Sequence, residues 1–478
     1  MSVPVRDRLA ELVDSVLLPG FDGTRAPDWL RRRVSGSLGG VCLFARNIGS
    51  PAQVRELTDT LRAERDDVVV SIDEEAGDVT RLDAATGALF PGNYALGRVD
   101  DVAATEAIGA QVGARLAAAG VTVNFAPCAD VLTDPRNPVI GTRSFGSDPD
   151  LVTRHTVAFQ RGQQSAGVAA CVKHFPGHGN TTVDTHLGTA VLTGSWDELR
   201  ATELPPFRAG LAAGAASVMV GHLVVPAVEN APATISRRWI TDILRGDMGF
   251  DGVVITDALE MAAIAATVGV AEGAVRAIEA GADLLCLGGE DSSEEIVNLA
   301  AAALIEAVRS GRISEETLAQ AASRIQAIAT LPATRPPVDA PVPAEPARSV
   351  AQRALAVAGP LPGLGAAPLV LRLQAATNNA VGVVPWGPAG PLGAREIVLV
   401  DGDPLPTNDI SAATGVLLVT RDRQRLDFIR SYEDALRALR PDAVLVEMGV
   451  GDTATAPAVS TGGAALVSSE AVARLLAG

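Results

Sequence analysis

The stretch AACVKHFPGHGNTTVDTHLGT, residues 169–189, decides the fold, because the pattern in it recurs through most of the chain. A short apolar run, AACV, turns abruptly polar at Lys173 and His174 and then becomes rich in glycine. Near-continuous apolar runs of this kind are typical of strands in a parallel sheet that helices cover on both faces. The stretch therefore predicts a buried strand followed by a polar loop.

The same pattern repeats along residues 1–330. Helical patterns such as 50–66 and 271–281 separate the apolar runs. The other runs are GGVCLFARNI (39–48), VVVSIDEE (68–75), VTVNFAPCAD (121–130), ASVMVGHLVV (216–225), GVVITDALEM (252–261) and ADLLCLGG (282–289). Seven or eight strand–helix units over this length favour a (β/α)8 TIM-type barrel over an open doubly wound sheet.

Polar residues collect at the downstream end of each apolar run. In a parallel barrel all strand carboxyl ends open onto one face, which carries the catalytic loops. We therefore expect a single polar face that brings together Asp73, Asp130, Lys173, His174, His222 and Asp257.

A change in composition divides the chain after the barrel. Residues 331–347, LPATRPPVDAPVPAEPA, are rich in Pro and Ala and predict a semi-rigid extended linker. Residues 348–478 predict a smaller α/β domain, whose expected strand-like runs are 368–373, 396–402, 415–422, 442–450 and 464–469. This domain contains no histidine or cysteine, so we expect it to serve packing or dimerisation, and a homodimer stays open.

The composition excludes several classes of function. Of the 478 residues 47% are hydrophobic, and 39 Lys+Arg against 56 Asp+Glu give a net charge of −17, which repels nucleic acid. No apolar run reaches the roughly 18 residues of a membrane span, and the N-terminal stretch does not resemble a signal peptide. Four widely spaced cysteines favour a reduced, cytoplasmic protein with buried thiols over a disulfide framework or a zinc site.

The basic residues are arginines with one exception, Lys173, which ends the fourth predicted strand beside His174. Chance is the alternative explanation, but an ammonium and a guanidinium differ in shape and hydration, which favours a functional role. His174 and His178 would share a helix face as metal ligands, yet Pro176 and Gly177 between them make a helix unfavourable. We therefore predict neither a metal nor a cofactor.

Two further features, an Asp-x-His pair and a single aspartate, carry chemistry. Asp184 and His186 form an Asp-x-His pair in the glycine-rich loop, where the carboxylate would orient the imidazole and raise its proton affinity, as a general acid/base requires. Asp257 closes the sixth predicted strand, where it serves either as the N-cap of a following helix or as a carboxylate nucleophile.

Five segments resemble the motifs of family 3 glycoside hydrolases, in particular the bacterial β-N-acetylglucosaminidases of peptidoglycan recycling: KHFPGHGNTTVDTHLG, FDGVVITDALEM, NFAPCADV, NPVIGTRSF and GGVCLFARNI. The resemblance extends over residues 10–330. It implies that Asp257 is the nucleophile and that His186, activated by Asp184, is the acid/base. It also implies that the terminal sugar is held by Asp73, Arg81, Arg143, Lys173 and His174, to which we add His222 as a candidate.

The resemblance implies an exo-acting, retaining enzyme that removes terminal β-linked N-acetylglucosamine (GlcNAc) from peptidoglycan or chitooligosaccharide fragments. The alternatives are a phosphorylase of the same glycosides, a β-glucosidase or β-xylosidase, and a non-catalytic sugar-binding relative. The family pattern after the second predicted strand is Asp-Gln-Glu-Gly-Gly-Arg-Val-x-Arg, against DEEAGDVTR at 73–81 here. We interpret Glu75 and Asp78 as departures that place added negative charge at the sugar site.

Overall fold

The computed structural model describes residues 8–183, 188–331, 336–375, 380–451 and 455–477. The strands are β1 Leu17–Pro19, β2 Gly40–Leu43, β3 Val69–Ile72, β4 Val123–Asn124, β5 Ala169–Phe175, β6 Ala190–Val191, β7 Ser217–Val220, β8 Leu223–Val225, β9 Glu229–Pro232, β10 Val253–Thr256, β11 Leu285–Leu287, β12 Ala356–Ala358, β13 Pro368–Leu373, β14 Arg395–Leu399, β15 Gly415–Thr420, β16 Val444–Glu447 and β17 Ala458–Ser460.

The α-helices are α1 Arg8–Asp14, α2 Asp28–Val34, α3 Pro51–Glu64, α4 Asn93–Val99, α5 Val102–Ala118, α6 Pro149–Ser165, α7 Trp196–Thr202, α8 Leu204–Ala212, α9 Ala262–Ala265, α10 Val270–Ala280, α11 Glu294–Arg309, α12 Glu315–Ala329, α13 Ala344–Arg353, α14 Ala389–Leu392, α15 Thr407–Ala412, α16 Asp427–Leu439 and α17 Leu466–Ala477. Short 3-10 helices occupy Ala45–Asn47, Gly141–Arg143 and Ala233–Ile235, and Arg238–Asp247 forms a π-helix. None of these helices is both long and apolar enough to cross a bilayer.

The N-terminal part is the predicted barrel. Strands β2, β3, β4, β5, β7 and β10 pair side by side in parallel, and β1 pairs in parallel with β11. A parallel bridge between Ile255 and Leu284 joins β10 to β11, and β1 lies against β2. These contacts bring the eight strands into a closed ring with helices outside, which confirms the (β/α)8 fold.

The apolar character of the strands explains the two-layered core of the barrel. Most barrel strands are buried along their whole length, and alternate residues point inward and outward. Outward residues such as Val70 and Ile72 pack against the surrounding helices. The inward cluster includes Leu18, Cys42, Val69, Val123, Phe125, Cys171, Met219, Val253, Ile255 and Cys286. All four cysteines are buried and unbridged, as expected.

The sequence pattern missed the first strand of the barrel. Leu17–Pro19 has only three residues and ends in proline, so it is too short to stand out as an apolar run. As a result the strand of Lys173 is the fifth of the barrel rather than the fourth, and Asp257 follows the seventh strand rather than the sixth. The polar residues nevertheless lie at strand ends, as the pattern required.

The C-terminal part contains a six-stranded sheet in the order β12-β17-β16-β15-β13-β14, parallel except for the β12–β17 pair. Helix α13 starts inside the predicted linker 331–347, and its Val350 packs against the barrel. The expectation of a strand at 464–469 is wrong, because α17 begins at Leu466. A short apolar run does not distinguish a strand from a buried helical turn. How the chain divides into independent units stays a prediction.

Candidate active site

A cavity of about 520 Å³ opens at the carboxyl ends of the barrel strands, a size that suits a small saccharide. Most of the predicted site residues line it together. They are Asp73, Arg81, Arg143, Lys173, His174 and Asp257. His222 does not belong to the lining.

Lys173 forms the centre of the polar cluster. Its Nζ lies 2.5 Å from Oδ1 of Asp73 and 2.6 Å from Oε1 of Glu75, and its side chain is only 1% exposed. Burial alone would lower the pKa of Lys173, but the two carboxylates outweigh it and raise the pKa above its ordinary value. The ammonium therefore stays charged and holds Asp73 at the cavity wall.

Glu75 joins Lys173 to Arg143. The Arg143 guanidinium donates to both oxygens of Glu75, from Nε at 2.8 Å and from Nη2 at 2.7 Å. Burial works against ionisation of Glu75, but Arg143 and Lys173 hold its pKa well below the usual range. Two buried cations thus neutralise Glu75, and the expectation that it adds uncompensated negative charge is wrong. Aligned position by position, Glu75 also coincides with the glutamate of the family pattern.

Asp78, the second residue that we interpreted as a departure from the family pattern, does not line the cavity. Its Oδ2 accepts from Thr142 at 2.7 Å and lies 3.3 Å from Nη2 of Arg421, while its Oδ1 accepts from the Ala464 N–H at 2.7 Å. Arg421 and Ala464 belong to the C-terminal part of the chain. Asp78 therefore fastens the loop after β3 to the second sheet, and its charge is paired there.

His174 is oriented by contacts on both ring nitrogens. Its Nδ1 lies 2.8 Å from Oδ2 of Asp130, and its Nε2 lies 3.2 Å from Nη2 of Arg143. With these partners, the Nδ1–H of His174 donates to the Asp130 carboxylate and its Nε2 accepts from the Arg143 guanidinium. Asp130 is fully buried and also accepts the N–H of His178 at 2.7 Å. It therefore fixes both the ring and the loop that follows β5.

His178 is structural, although it belongs to the same histidine-rich stretch. Its Nδ1 lies 2.7 Å from Oγ1 of Thr181, and burial lowers its pKa to about 4. The imidazole is therefore neutral near pH 7 and holds the loop. The peptide bonds Lys173–His174 and Phe175–Pro176 are cis.

Asp257 lies in the cavity directly after β10. Its N–H donates to the Val220 carbonyl at 3.0 Å, and its Oδ1 accepts from the Ala258 N–H at 2.9 Å. The alternative role as a helix N-cap is wrong, because α9 begins only at Ala262. His222 supports this segment from below: it is fully buried, with Nε2 2.8 Å from the Ala258 carbonyl.

The predicted acid/base pair, Asp184 and His186, lies outside the described residues. The described chain ends at Val183 and resumes at Gly188. The roles of the pair therefore stay predictions.

The second sheet contributes a part of the cavity that sequence reasoning missed. Residues 380–384, in the connection between β13 and α14, line the cavity together with residues of the barrel. Arg81 fixes this segment, since its Nη2 donates to the Ala380 carbonyl at 2.9 Å, and it also lies 3.9 Å from Asp73. Nothing in the sequence signals a contact between residues 299 positions apart.

Among the described residues, Cys128, Asp130 and His174 come close enough together to be tested as metal ligands. Burial, and next the charge of Glu75, raise the pKa of the Cys128 thiol well above its usual value, so it is not a thiolate. Lys173 and Arg143 place two fixed cations beside the group. The electrostatics therefore oppose a divalent cation here.

A family model described as the glycosyl hydrolase family 3 N terminal domain matches residues 21–328. The chain belongs to glycosyl hydrolase family 3. A beta-hexosaminidase of Stenotrophomonas maltophilia K279a is 39% identical over 280 residues, which cover 56% of this chain and 82% of that protein. The family predicted from the sequence motifs is confirmed, and the chain is a glycoside hydrolase.

Two solved structures extend the similarity. A family 3 beta-N-acetylglucosaminidase from Paenibacillus sp. FPU-7 is 30% identical with a TM-score of 0.85, covering 98% of this chain and 97% of that one. A beta-N-acetylhexosaminidase from Beutenbergia cavernae is 31% identical with a TM-score of 0.61, covering 68% of this chain and 99% of that one. The Paenibacillus structure therefore matches the second sheet as well as the barrel.

Proposed function

We propose that this chain is an exo-acting, retaining β-N-acetylglucosaminidase that removes terminal β-linked GlcNAc from peptidoglycan or chitooligosaccharide fragments. The observation that carries the proposal is one cavity holding both Asp257 and the ion network around Lys173. The names of the relatives, beta-hexosaminidase and beta-N-acetylglucosaminidase, support the choice of sugar.

The network provides what a terminal sugar requires. Asp73 keeps 18% of its side chain exposed and presents carboxylate oxygens to sugar hydroxyls. Lys173 and Arg143 hold the acceptors in place, and His174 adds a ring of fixed orientation. Inward side chains fill the barrel beneath the cavity, so we infer that a chain end enters it rather than a chain interior.

The reaction proceeds in two displacements. Asp257 attacks the anomeric carbon, forming a carbon–oxygen bond as the glycosidic bond breaks, while His186 gives its proton to the departing oxygen. In the second step His186 takes a proton from water, which attacks the anomeric carbon and releases Asp257. Asp184 orients the imidazole in both steps. These roles of Asp184 and His186 follow from the resemblance.

A panel of aryl β-glycosides of GlcNAc, glucose and xylose tests the sugar preference. We expect hydrolysis of the GlcNAc glycoside to dominate, and NMR of the first product to give the β-anomer because two displacements retain configuration. Preferred cleavage of the glucoside or xyloside would contradict the sugar assignment. An initial α-anomer would contradict the mechanism, and sugar 1-phosphate formed in phosphate buffer would identify a phosphorylase.

A further inference from the structure

We propose that segment 380–384, in the connection between β13 and α14, binds the leaving group of the substrate through an apolar contact at Val383. This inference rests on the proposed function and adds a specificity determinant to it. The contact accepts a leaving group that presents an aromatic ring or the aliphatic face of a sugar.

The position of Val383 in the cavity carries the inference. The cluster that would hold the terminal sugar lies deep, with Lys173 1% exposed, whereas Val383 lines the same cavity and is 89% exposed. Single exposed valines are common on protein surfaces, so exposure alone indicates nothing. An exposed valine at the mouth of a cavity that holds the sugar at its base faces the group attached to that sugar.

The local backbone presents Val383 to the cavity. Gly382 has φ +68°, a left-handed conformation that glycine adopts without strain, and no atom approaches its Cα from the side-chain direction. Val381 on the other side of this bend is buried. The bend at Gly382 therefore buries Val381 and leaves Val383 accessible to a ligand.

Contacts at both ends keep the segment in place. At one end Arg81 donates to the Ala380 carbonyl at 2.9 Å. At the other end the guanidinium groups of Arg372 and Arg421 lie over the Trp386 ring, at 4.9 and 5.0 Å from its centroid. Because Arg81 borders the sugar cluster, the position of the segment is tied to the sugar site.

The side chains of segment 380–384 determine which class of ligand this wall of the cavity can bind. Besides Val383, the same segment contributes Val381 and Val384 to the cavity lining. Aliphatic side chains recognise apolar surface and offer no hydrogen bond. A leaving group with an aryl ring or a sugar's aliphatic face gains from this wall, and free GlcNAc, which has no leaving group, does not reach it.

The test compares Val383→Ser with a matched control, Val400→Ser, an exposed valine of the same domain that is not part of the cavity lining. We measure kcat/KM for phenyl β-N-acetylglucosaminide and the inhibition constant of free GlcNAc. Loss of contact worth one or two methylene groups predicts a roughly 4- to 15-fold lower kcat/KM for Val383→Ser. The GlcNAc inhibition constant and the thermal midpoint should stay at their wild-type values.

The outcomes separate this inference from the proposed function. If Val383→Ser matches Val400→Ser on the phenyl glycoside while both hydrolyse it, the leaving-group contact is refuted and the proposed function stands. An equal loss in affinity for free GlcNAc would also refute it, because the effect would then lie at the sugar end. If the wild type fails to hydrolyse any GlcNAc glycoside, the proposed function itself fails.

Discussion

The two ends of the barrel carry similar buried ion networks in different settings. At the carboxyl ends of the strands, Lys173 lies between Asp73 and Glu75. At the amino ends, Asp283 lies 2.6 Å from Nη2 of Arg245 and 3.1 Å from Nη1 of Arg324. Both networks consist of oppositely charged side chains placed within hydrogen-bonding distance.

The difference is access to a cavity. Asp73 and Lys173 line the cavity, whereas Asp283, Arg245 and Arg324 do not. Asp283 instead accepts the Val254 N–H at 2.8 Å and ties β10 to the helices beneath it. Buried charge by itself therefore does not identify a site. A buried ion network at the carboxyl ends of the strands, where a ligand can reach it, serves binding. A buried ion network at the amino ends serves stability.

The largest effect is expected from Asp257→Ala. Removing a covalent nucleophile abolishes the glycosyl-enzyme, so kcat/KM should fall by several orders of magnitude, on the order of 10⁴-fold or more. The thermal midpoint should change little, because Asp257 is half-buried at the cavity surface and its Oδ1 accepts from the N–H of its neighbour Ala258. A variant that keeps more than about a tenth of the activity would refute the assignment.

Asp283→Ala is the matched substitution at the opposite end. It leaves Arg245 without its carboxylate and the Val254 N–H without an acceptor, which should lower the free energy of unfolding by on the order of 3 kcal/mol. Denaturant titration measures the loss. Below the unfolding transition kcat/KM should match the wild type. A loss of activity in the folded variant would contradict the assignment of the amino-end network to stability alone.

Lys173→Arg tests whether the ion network at the carboxyl ends of the strands needs a point charge. A planar guanidinium does not fit between Asp73 and Glu75 as the ammonium does, so KM should rise roughly 10- to 100-fold at an unchanged charge. Steady-state kinetics and inhibition by free GlcNAc both report the loss. An unchanged kcat/KM would mean that any cation serves and that the lone lysine has no specific role.

The smallest effect, measured per pH unit, concerns Glu203, which lies beneath the loop after β5. Its Oε2 is buried without a hydrogen-bond partner, and an added Cβ at Gly177 would lie 2.5 Å from that atom. Burial, and next the charge of Asp130, raise the pKa of Glu203 to about 8 from 4.5. The unfolded chain therefore loses this proton near pH 4.5, whereas the folded protein keeps it up to about pH 8.

The folded protein binds more protons in this window, so Glu203 makes stability fall as pH rises from 4.5 to 8, by at most about 1.4 kcal/mol per pH unit. Glu203→Gln should remove that slope, and the variant should gain on the wild type toward pH 8. Thermal midpoints across this range measure it, with the exposed Glu106→Gln as control. Parallel pH curves for Glu203→Gln and the wild type would contradict a neutral carboxyl.

The sequence predicts the barrel because its strands are apolar runs of distinctive composition, but it leaves out Leu17–Pro19, where three residues carry no pattern. It also brings Asp73, Lys173 and His174 to one face, since parallel strands end on the same side. The charge state of Glu75 depends on Arg143, which is 68 positions away, and is invisible to local inspection.

In the second sheet, too, contacts between distant residues decide features that the local sequence pattern does not predict. Its apolar runs predict strands, and 368–373 and 415–420 do form β13 and β15. At 464–469 the chain instead enters α17, whose Val467 packs in the barrel core and whose Val472 packs in the core of the second sheet, which local composition does not reveal. The contribution of Val383 to the cavity depends on how the two sheets dock, and no local pattern encodes that.

The most direct test of a covalent mechanism through Asp257 is the mass of His186→Ala protein mixed with an activated aryl β-N-acetylglucosaminide. An activated phenol leaves without a proton donor, but release of the sugar from the enzyme lacks its base, so the intermediate should accumulate. We predict an added mass of one N-acetylhexosaminyl group, located by peptide mapping on Asp257. Release of the phenol with no adduct, or an adduct on another residue, would contradict the mechanism.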